Sequence, residues 1–162
     1  MSEPSGRLPA RLDPSRHSRS LLLPTPHESA QSLMQLYDLR RDAKLREARD
    51  WMIRSFNPTS VEDVAAVMQT DDYTYVRMTL GYWDMAASFV VHGAIDAEMF
   101  RAVSGEMLAT YSKVEHMIDE IREGLGQPGL LKYVEEVASD WPGAKERMTG
   151  IREYFHGLAA AE

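Results

Sequence analysis

The chain has 162 residues, of which 44% are hydrophobic and none is cysteine, and its formal net charge is −7. This length and hydrophobic content predict one folded domain with a substantial core and exclude a fully disordered chain. The lack of cysteine excludes disulfides, thiolate metal sites and cysteine nucleophiles, and the acidic balance argues against nucleic-acid binding by the folded part.

Residues 1–27 differ in composition from the rest of the chain. They contain five prolines, and four arginines against two acidic residues. Because each proline disfavours a helix, we predict a disordered tail over residues 1–27 and a single helical domain over residues 28–162. An organelle-type transit segment, an anion-binding arm and sequence translated upstream of a later start are the alternatives for this tail.

The sequence contains no pattern for membrane insertion or export. No stretch approaches the ~18–20 consecutive apolar residues of a membrane span. The apolar run at residues 21–23 is too short for the core of a signal peptide. We therefore expect a cytoplasmic protein.

The first long helix is predicted to run from Glu28 to Phe56, with Ser29 as its N-cap. Its middle, residues 38–50 (DLRRDAKLREARD), mixes both signs of charge at spacings of three and four. This pattern predicts a solvated helix face with weak ion pairs, or alternatively a face that lies along a partner chain. Asn57-Pro58 ends the helix.

A capping box from Thr59 to Glu62 predicts a short second helix over Ser60 to Gln69. The third helix, from Tyr73 to Gly93, is the most apolar, and we expect the others to pack around it. Its inward face follows from a period of 3.6 residues: Val76, Leu80, Trp83, Ala87 and Val90.

A fourth helix is predicted from Ala97 to Glu123, with Asp96 as its cap. The short turn at Gly93 predicts that the third and fourth helices form an antiparallel hairpin. The fourth helix carries an a/d pattern over more than three heptads. Its positions are Phe100, Met107, Val114 and Ile121, with Val103, Thr110 and Met117 between them.

Two further helices, Gly129 to Asp140 and Ala144 to His156, complete the prediction. No stretch alternates as a strand would. The fold class predicted is all-α: a helical bundle of five to six helices built on an antiparallel long-helix core, with a disordered N-terminal tail.

Several local patterns fall in the same order as in a known family. They are the segments 56–63 (FNPTSVED), 81–84 (GYWD), 93–98 (GAIDAE), 121–123 (IRE) and 126–128 (GQP). On these patterns, residues 36–138 resemble a small bacterial all-helical family known only as a domain of unknown function. That family favours glutamate where this chain has Asp84, and tryptophan near Tyr111, so the chain departs from it there. The resemblance implies an all-helical fold and no particular activity.

The patterns of common catalytic sites are not found. A di-iron bundle site requires two Glu-x-x-His pairs, and the sequence contains one, Glu153 to His156. The sequence has neither a Gly-x-Ser-x-Gly elbow nor a glycine-rich phosphate loop. We therefore expect no catalytic residue, no metal site and no cofactor.

Four residues, Arg77, Asp84, Tyr82 and Tyr111, are candidates for ligand binding. Arg77 and Asp84 are predicted near the apolar face of the third helix, where a buried charge needs a partner. Two helical turns separate them by about 10.5 Å, so each is expected to pair with another helix. This predicts a structural network that sets helix register; a small pocket for an anionic or carboxylated ligand is the alternative.

Two classes of function follow from these observations. The first is a non-catalytic helical interaction or regulatory module that forms a homodimer through its first or fourth helix, or binds another protein. The second is a ligand-binding or enzymatic bundle that uses a pocket around Arg77 and Asp84. A contiguous apolar surface without a cavity would favour the first class, and a cavity beside Arg77 would favour the second. Three of the ten methionines, Met107, Met117 and Met148, are predicted to fill the core.

Overall fold

The computed structural model describes residues 23–159, which form an all-helical fold without strands. These residues form nine α-helices and one 3-10 turn, more than the five to six helices that we predicted. The helices are α1 (Pro26–Arg40), α2 (Ala43–Arg54), α3 (Val61–Val67), α4 (Tyr73–Val91), α5 (Ala97–Val103), α6 (Gly105–Tyr111), α7 (Ile118–Leu125), α8 (Lys132–Ser139) and α9 (Ala144–Ala159).

The helical part begins slightly earlier than predicted. Pro26 and His27, which we placed in the tail, belong to α1, because Thr25 and Glu28 form a capping box and Pro26 occupies the first turn. The predicted disorder of residues 1–22 lies outside the described residues.

Helix α4 occupies the centre of the fold. It packs most extensively against α2 and α8, which are distant from each other in sequence. The side chains of Val76, Leu80, Trp83 and Ala87 are buried, as the helical period predicted, and Val90 is partly buried. Gly93, at φ +72°, follows the helix in the left-handed conformation expected of a C-terminal glycine. The antiparallel pairing of long helices at the core stays a prediction.

The first predicted helix is two helices, so the prediction of one continuous helix was wrong. Asp42 accepts hydrogen bonds from the backbone N–H groups of the second and third residues of α2, at 3.0 Å each, and so begins a new helix. The break lies inside the charged stretch that we interpreted as a solvated face. Arg40 and Arg49, on either side of it, instead turn towards Glu106.

The fourth predicted helix is also divided, and the prediction of its continuity was wrong. Ser104 separates α5 from α6 with a non-helical φ of −112° and ψ of 27°. A 3-10 turn at Glu115–Met117 separates α6 from α7. The heptad pattern still identified core residues, because Phe100, Met107, Val114, Met117 and Ile121 are all buried. Val103 is the exception, with 59% of its surface exposed.

The capping of α3 differs by one residue from the prediction. Ser60 and Asp63 form the capping box, and Thr59 donates both its backbone N–H and its hydroxyl to the Asp63 carboxylate at 2.8 Å. The shift moves the helix start to Val61. None of the helices within residues 23–159 combines the length and apolar content needed to cross a bilayer.

Gly81 is expected to weaken α4. It occupies an exposed interior position of the helix, and a Cβ atom added there would contact nothing within 4 Å. Because glycine is less favourable than alanine in a helix interior, Gly81→Ala should raise the free energy of unfolding by about 0.5–1 kcal/mol. Urea unfolding of the full chain measures this change.

Gly126→Ala is the matched control. Gly126 ends α7 at φ +63°, and a Cβ atom there also meets nothing within 4 Å. Alanine is strained in this conformation, so the free energy of unfolding should fall by about 1 kcal/mol. A loss of stability in Gly81→Ala would contradict the assignment of Gly81 to an unstrained helix interior.

Candidate ligand-binding site

A pocket of about 800 Å³ opens beside Arg77 and Asp84. Its size lies within the range of about 300–1,000 Å³ typical of small-molecule sites. Its walls are formed by α3 with Met68 after its end, by α4 and α7, by the loop between α7 and α8, and by Val114 before the 3-10 turn. Most of its described lining residues are aliphatic. The full lining is Val64, Met68, Tyr73, Val76, Arg77, Leu80, Gly81, Asp84, Val114, Ile118, Ile121, Leu125, Gln127, Gly129, Leu130 and Leu131.

Helical periodicity explains why these side chains share one pocket. The lining residues of α4 follow one another at spacings of three and one, and those of α7 at spacings of three and four, so each set lies along one side of its helix. The pocket reaches solvent where Arg77, Gly81 and Gln127 are exposed, and it is closed where Val114 and Leu131 are buried. The pocket is therefore open beside Arg77 and Gln127 and is closed by apolar side chains at Val114 and Leu131.

Arg122 fixes the loop that forms one wall. Its guanidinium donates to the backbone carbonyl of Leu130 at 2.9 and 3.0 Å and to the carboxylate of Glu135 at 2.6 Å. Leu131, the last residue of the loop, adopts a left-handed conformation at φ 55°. The hydrogen bonds to Arg122 hold the loop over α4 while its leucines face the pocket.

Arg77 lies at the open rim of the pocket. Its side chain is exposed, and it makes no ion pair or hydrogen bond with any residue in the described part of the chain. Its guanidinium lies 6.0 Å from the centre of the Tyr73 ring. The prediction of a charged partner on another helix was wrong for Arg77, because its long side chain lets the charge reach solvent.

Asp84 is half-buried and caps a different helix. Its Oδ1 accepts hydrogen bonds from the backbone N–H groups of Tyr133 and Val134, at 3.0 and 3.1 Å. These are the second and third residues of α8, and Leu131, which precedes the helix, supplies no side-chain cap. Asp84 therefore pairs with another helix, as predicted, but its partners are backbone N–H groups at the N-terminus of that helix, where the dipole favours a carboxylate.

Removal of this cap should destabilise the protein. Asp84→Ala leaves two helix N–H groups without their acceptor and should lower the free energy of unfolding by about 1–2 kcal/mol. Asp84→Asn retains an oxygen acceptor, and its free energy of unfolding should fall clearly less, since asparagine caps helices well. Denaturant unfolding of the two variants measures the difference; equal losses would contradict the capping role.

Tyr82 and Tyr111 do not line this pocket. The Tyr82 hydroxyl donates to the backbone carbonyl of Leu36 at 2.8 Å, and burial raises the pKa of Tyr82 to about 12. Tyr111 lines a second cavity of about 610 Å³ that is rich in acidic residues. Burial also raises the pKa of Tyr111. Of the four candidates, the pocket brings together Arg77 and Asp84.

The acidic residues of the second cavity are partly neutralised. Glu115 pairs with Arg152 at 3.1 Å, and Glu135 pairs with Arg122. Within residues 23–159, no group of three histidine, aspartate or glutamate side chains is placed to hold a metal ion.

The family model described as "Domain of unknown function (DUF4760)" matches residues 26–141, most of the chain. The chain belongs to this family. The match includes α1 to α8 and therefore every described residue that lines the Arg77 pocket, and it confirms the resemblance to a family of unknown function. No curated protein and no solved structure matches the chain.

The DUF4760 domain contains a charged cluster that the sequence did not reveal. Arg40 donates to the Glu106 carboxylate at 2.8 Å, and Arg49 donates to it at 2.6 Å through Nε. Arg40 also lies 5.1 Å from the centre of the Trp83 ring. Burial alone would raise the pKa of Glu106, but the two guanidiniums hold it below its usual value. The cluster joins α1, α2 and α6.

The DUF4760 domain also contains a buried lysine that was not predicted from the sequence. Lys113 is 2% exposed, and its ammonium donates to the carbonyls of Ile53 and Phe56 and to the Asn57 side chain, at 3.0, 2.8 and 2.6 Å. Burial lowers the pKa of Lys113 to about 8. All three of its donors are used, so Lys113 closes the C-terminal end of α2 and has no hydrogen left for a ligand.

Proposed function

We propose that the helical part of the chain is a single domain that binds a small, mainly apolar molecule in the Arg77 pocket without catalysing a reaction. The observation that carries the proposal is the pocket itself, about 800 Å³ in volume and lined mainly by aliphatic side chains. A ligand that enters this pocket would remove apolar surface from water and gain contacts with the aliphatic wall. A small set of polar groups at one end would orient that ligand.

The lining argues against catalysis. Acyl transfer and general acid–base chemistry require a nucleophile or proton carrier held by a second group. The ionisable residues among the described lining are Tyr73, Arg77 and Asp84. Asp84 Oδ1 accepts two hydrogen bonds from the N-terminus of α8, and the guanidinium of Arg77 offers hydrogen-bond donors but no acceptor. A role in binding is therefore better supported than a role in chemistry.

Binding of a neutral fluorescent probe, N-phenyl-1-naphthylamine, tests the proposal on the full chain. Wild type should bind it saturably with one site. Gly81→Phe places a large side chain at the pocket rim, on an exposed position with free space around its Cβ, and should weaken binding at least about tenfold, as expected if at least 1.4 kcal/mol of contact is lost.

Gly150→Phe is the matched control for this experiment. Gly150 is also an exposed helix-interior glycine whose Cβ would meet nothing within 4 Å, and it lies on α9 outside the pocket. Binding by Gly150→Phe should equal that of wild type. Unsaturable binding in wild type, or equal affinity in all three proteins, would refute the proposed site.

A second candidate function is self-association, and a surface on α1 and α5 favours it. Tyr37 and Val103 line the same small crevice and are 55% and 59% exposed, and Met34 lies one turn before Tyr37. We call Met34, Tyr37 and Val103 the α1–α5 patch. Exposed apolar side chains grouped in this way are typical of protein contacts. The homodimer, the cytoplasmic location and the bacterial origin stay predictions.

Light scattering coupled to size exclusion tests this second candidate. The full chain should elute as a dimer, and Tyr37→Lys should elute as a monomer because it places a charge in the patch. Tyr154→Lys is the control, since Tyr154 is 62% exposed on α9 and outside the patch. A monomeric wild type would exclude self-association.

A further inference from the structure

The Arg77 pocket has one free positive charge. Arg77 is the single basic residue among the described residues that line it. It makes no hydrogen bond or ion pair with any residue of the described part, and the Tyr73 ring, 6.0 Å away, leaves its donors unused. A guanidinium presents several N–H donors in one plane, an arrangement that suits a carboxylate. The rim can therefore bind one anionic group through Arg77.

The negative charge of Asp84 is partly offset by a helix terminus. Asp84 Oδ1 accepts two backbone hydrogen bonds from the N-terminus of α8, at 3.0 and 3.1 Å. The partial positive charge of that terminus offsets the carboxylate. Asp84 is therefore a weaker partner for a cationic ligand, because the helix terminus already binds its carboxylate. Arg77 has no such partner.

The other side chains of the wall are apolar. Beyond Tyr73, Arg77, Asp84 and Gln127, the described side chains of the lining are aliphatic or, at Met68, a thioether. A polar group buried against them without a partner loses its hydrogen bonds to water. A ligand that fits must therefore carry its polar group at one end and an apolar chain at the other.

The overall charge of the protein does not reverse this preference. The chain carries a net charge of −7, which repels anions at long range. Salt screens such repulsion beyond about 8 Å at physiological ionic strength, and a contact with Arg77 is shorter than that. The local charge at the rim therefore decides which head group is bound.

We infer that the ligand of the Arg77 pocket is a free monocarboxylate with an alkyl chain. Its carboxylate is bound by Arg77 beside Tyr73, and its chain lies against α4 and α7. This inference rests on the proposed function, since it names the chemical class of molecule that the same pocket takes.

Calorimetric titration of the full chain with three eight-carbon ligands tests the head group. Octanoate should bind about tenfold more tightly than octan-1-ol, as expected for a charge-assisted hydrogen bond, and octylammonium should bind most weakly. Arg77→Gln should remove the advantage of octanoate over the alcohol, and Arg77→Lys should retain part of it. Arg147→Gln, at an exposed arginine of α9 outside the pocket, is the matched control and should behave as wild type.

A chain-length series tests the apolar part. Affinity should rise about fourfold per added methylene from hexanoate to octanoate, the increment expected for burying one methylene group. An affinity independent of chain length would overturn the assignment of the aliphatic wall to the alkyl chain.

Failure of the inference can be told from failure of the proposed function. If octan-1-ol and octanoate bind equally, or octylammonium binds best, and Gly81→Phe weakens all three, then the ligand class is wrong and the binding pocket stands. If none binds, or if Gly81→Phe has no effect on any of them, then both are wrong.

Discussion

Glu106→Ala is expected to lower the free energy of unfolding by about 2–4 kcal/mol, the range for breaking a largely buried ion pair with some discount for partial exposure. The reason is the pair of guanidiniums that remain. Arg40 and Arg49, whose side chains are 18% and 19% exposed, would keep their charges without the carboxylate that bridges them. Urea unfolding followed by circular dichroism measures the loss.

Asp50→Ala provides the control for Glu106. Asp50 pairs with Arg54 at 2.8 Å across one helical turn, but both side chains are mostly exposed. Its removal should change stability by no more than about 0.5 kcal/mol. Equal losses in the two variants would mean that the Glu106 cluster contributes no more than a surface pair.

The pH dependence of stability gives a second test of the Glu106 cluster. The pKa of Glu106 is held below its usual value of 4.5 in the folded protein. Its stabilising contribution is therefore fully present above the unfolded pKa and is lost as the pH falls through the folded pKa. Glu106→Gln should flatten the loss of stability below pH 4.5 relative to wild type; an unchanged slope would contradict the cluster's role.

Lys113→Met is expected to lower the free energy of unfolding by about 3 kcal/mol, because buried acceptors that lose their donor are left without a hydrogen bond. Methionine resembles lysine in length and is apolar, so the change removes the three hydrogen bonds without creating a large cavity. The carbonyls of Ile53 and Phe56 and the amide oxygen of Asn57 would lose their donor. Thermal or urea unfolding of the full chain measures the change.

Lys145→Met is the matched control for Lys113. Lys145 is exposed at the start of α9, and no hydrogen bond from its side chain is formed within residues 23–159. A surface substitution of this kind should stay within about 0.5 kcal/mol. A loss below about 1 kcal/mol in Lys113→Met would show that Lys113 does not support the end of α2, since a lost helix cap typically costs that much.

Much of the core could be predicted from periodicity, because burial follows the side of a helix on which a residue lies. The buried face of α4 and the heptad residues Phe100, Met107 and Val114 were correctly predicted. The helix breaks were not predicted, because aspartate and serine also occur within helices, so Asp42 and Ser104 gave no distinct signal in the sequence. At the first break Asp42 caps α2 with its own side chain, and Arg40 and Arg49, on the two sides of the break, both reach Glu106.

The candidate site was predicted in part. The sequence located a possible pocket beside Arg77 and Asp84, because both residues lie near the apolar face of the same helix. It could not show that Asp84 caps α8, since Asp84 precedes its two hydrogen-bond donors by 49 and 50 positions in the chain. It also misplaced Tyr82 and Tyr111, whose positions depend on how α4 and α6 are rotated against their neighbours.

The isoleucine methyl groups provide the most direct test of ligand binding in the Arg77 pocket. The chain has five isoleucines, of which Ile118 and Ile121 line the pocket while Ile53, Ile95 and Ile151 do not. In a methyl NMR titration of the full chain with N-phenyl-1-naphthylamine, the resonances of Ile118 and Ile121 should shift saturably and the other three should stay in place. Shifts confined to Ile53, Ile95 or Ile151, or no saturable shift at all, would contradict the proposed site.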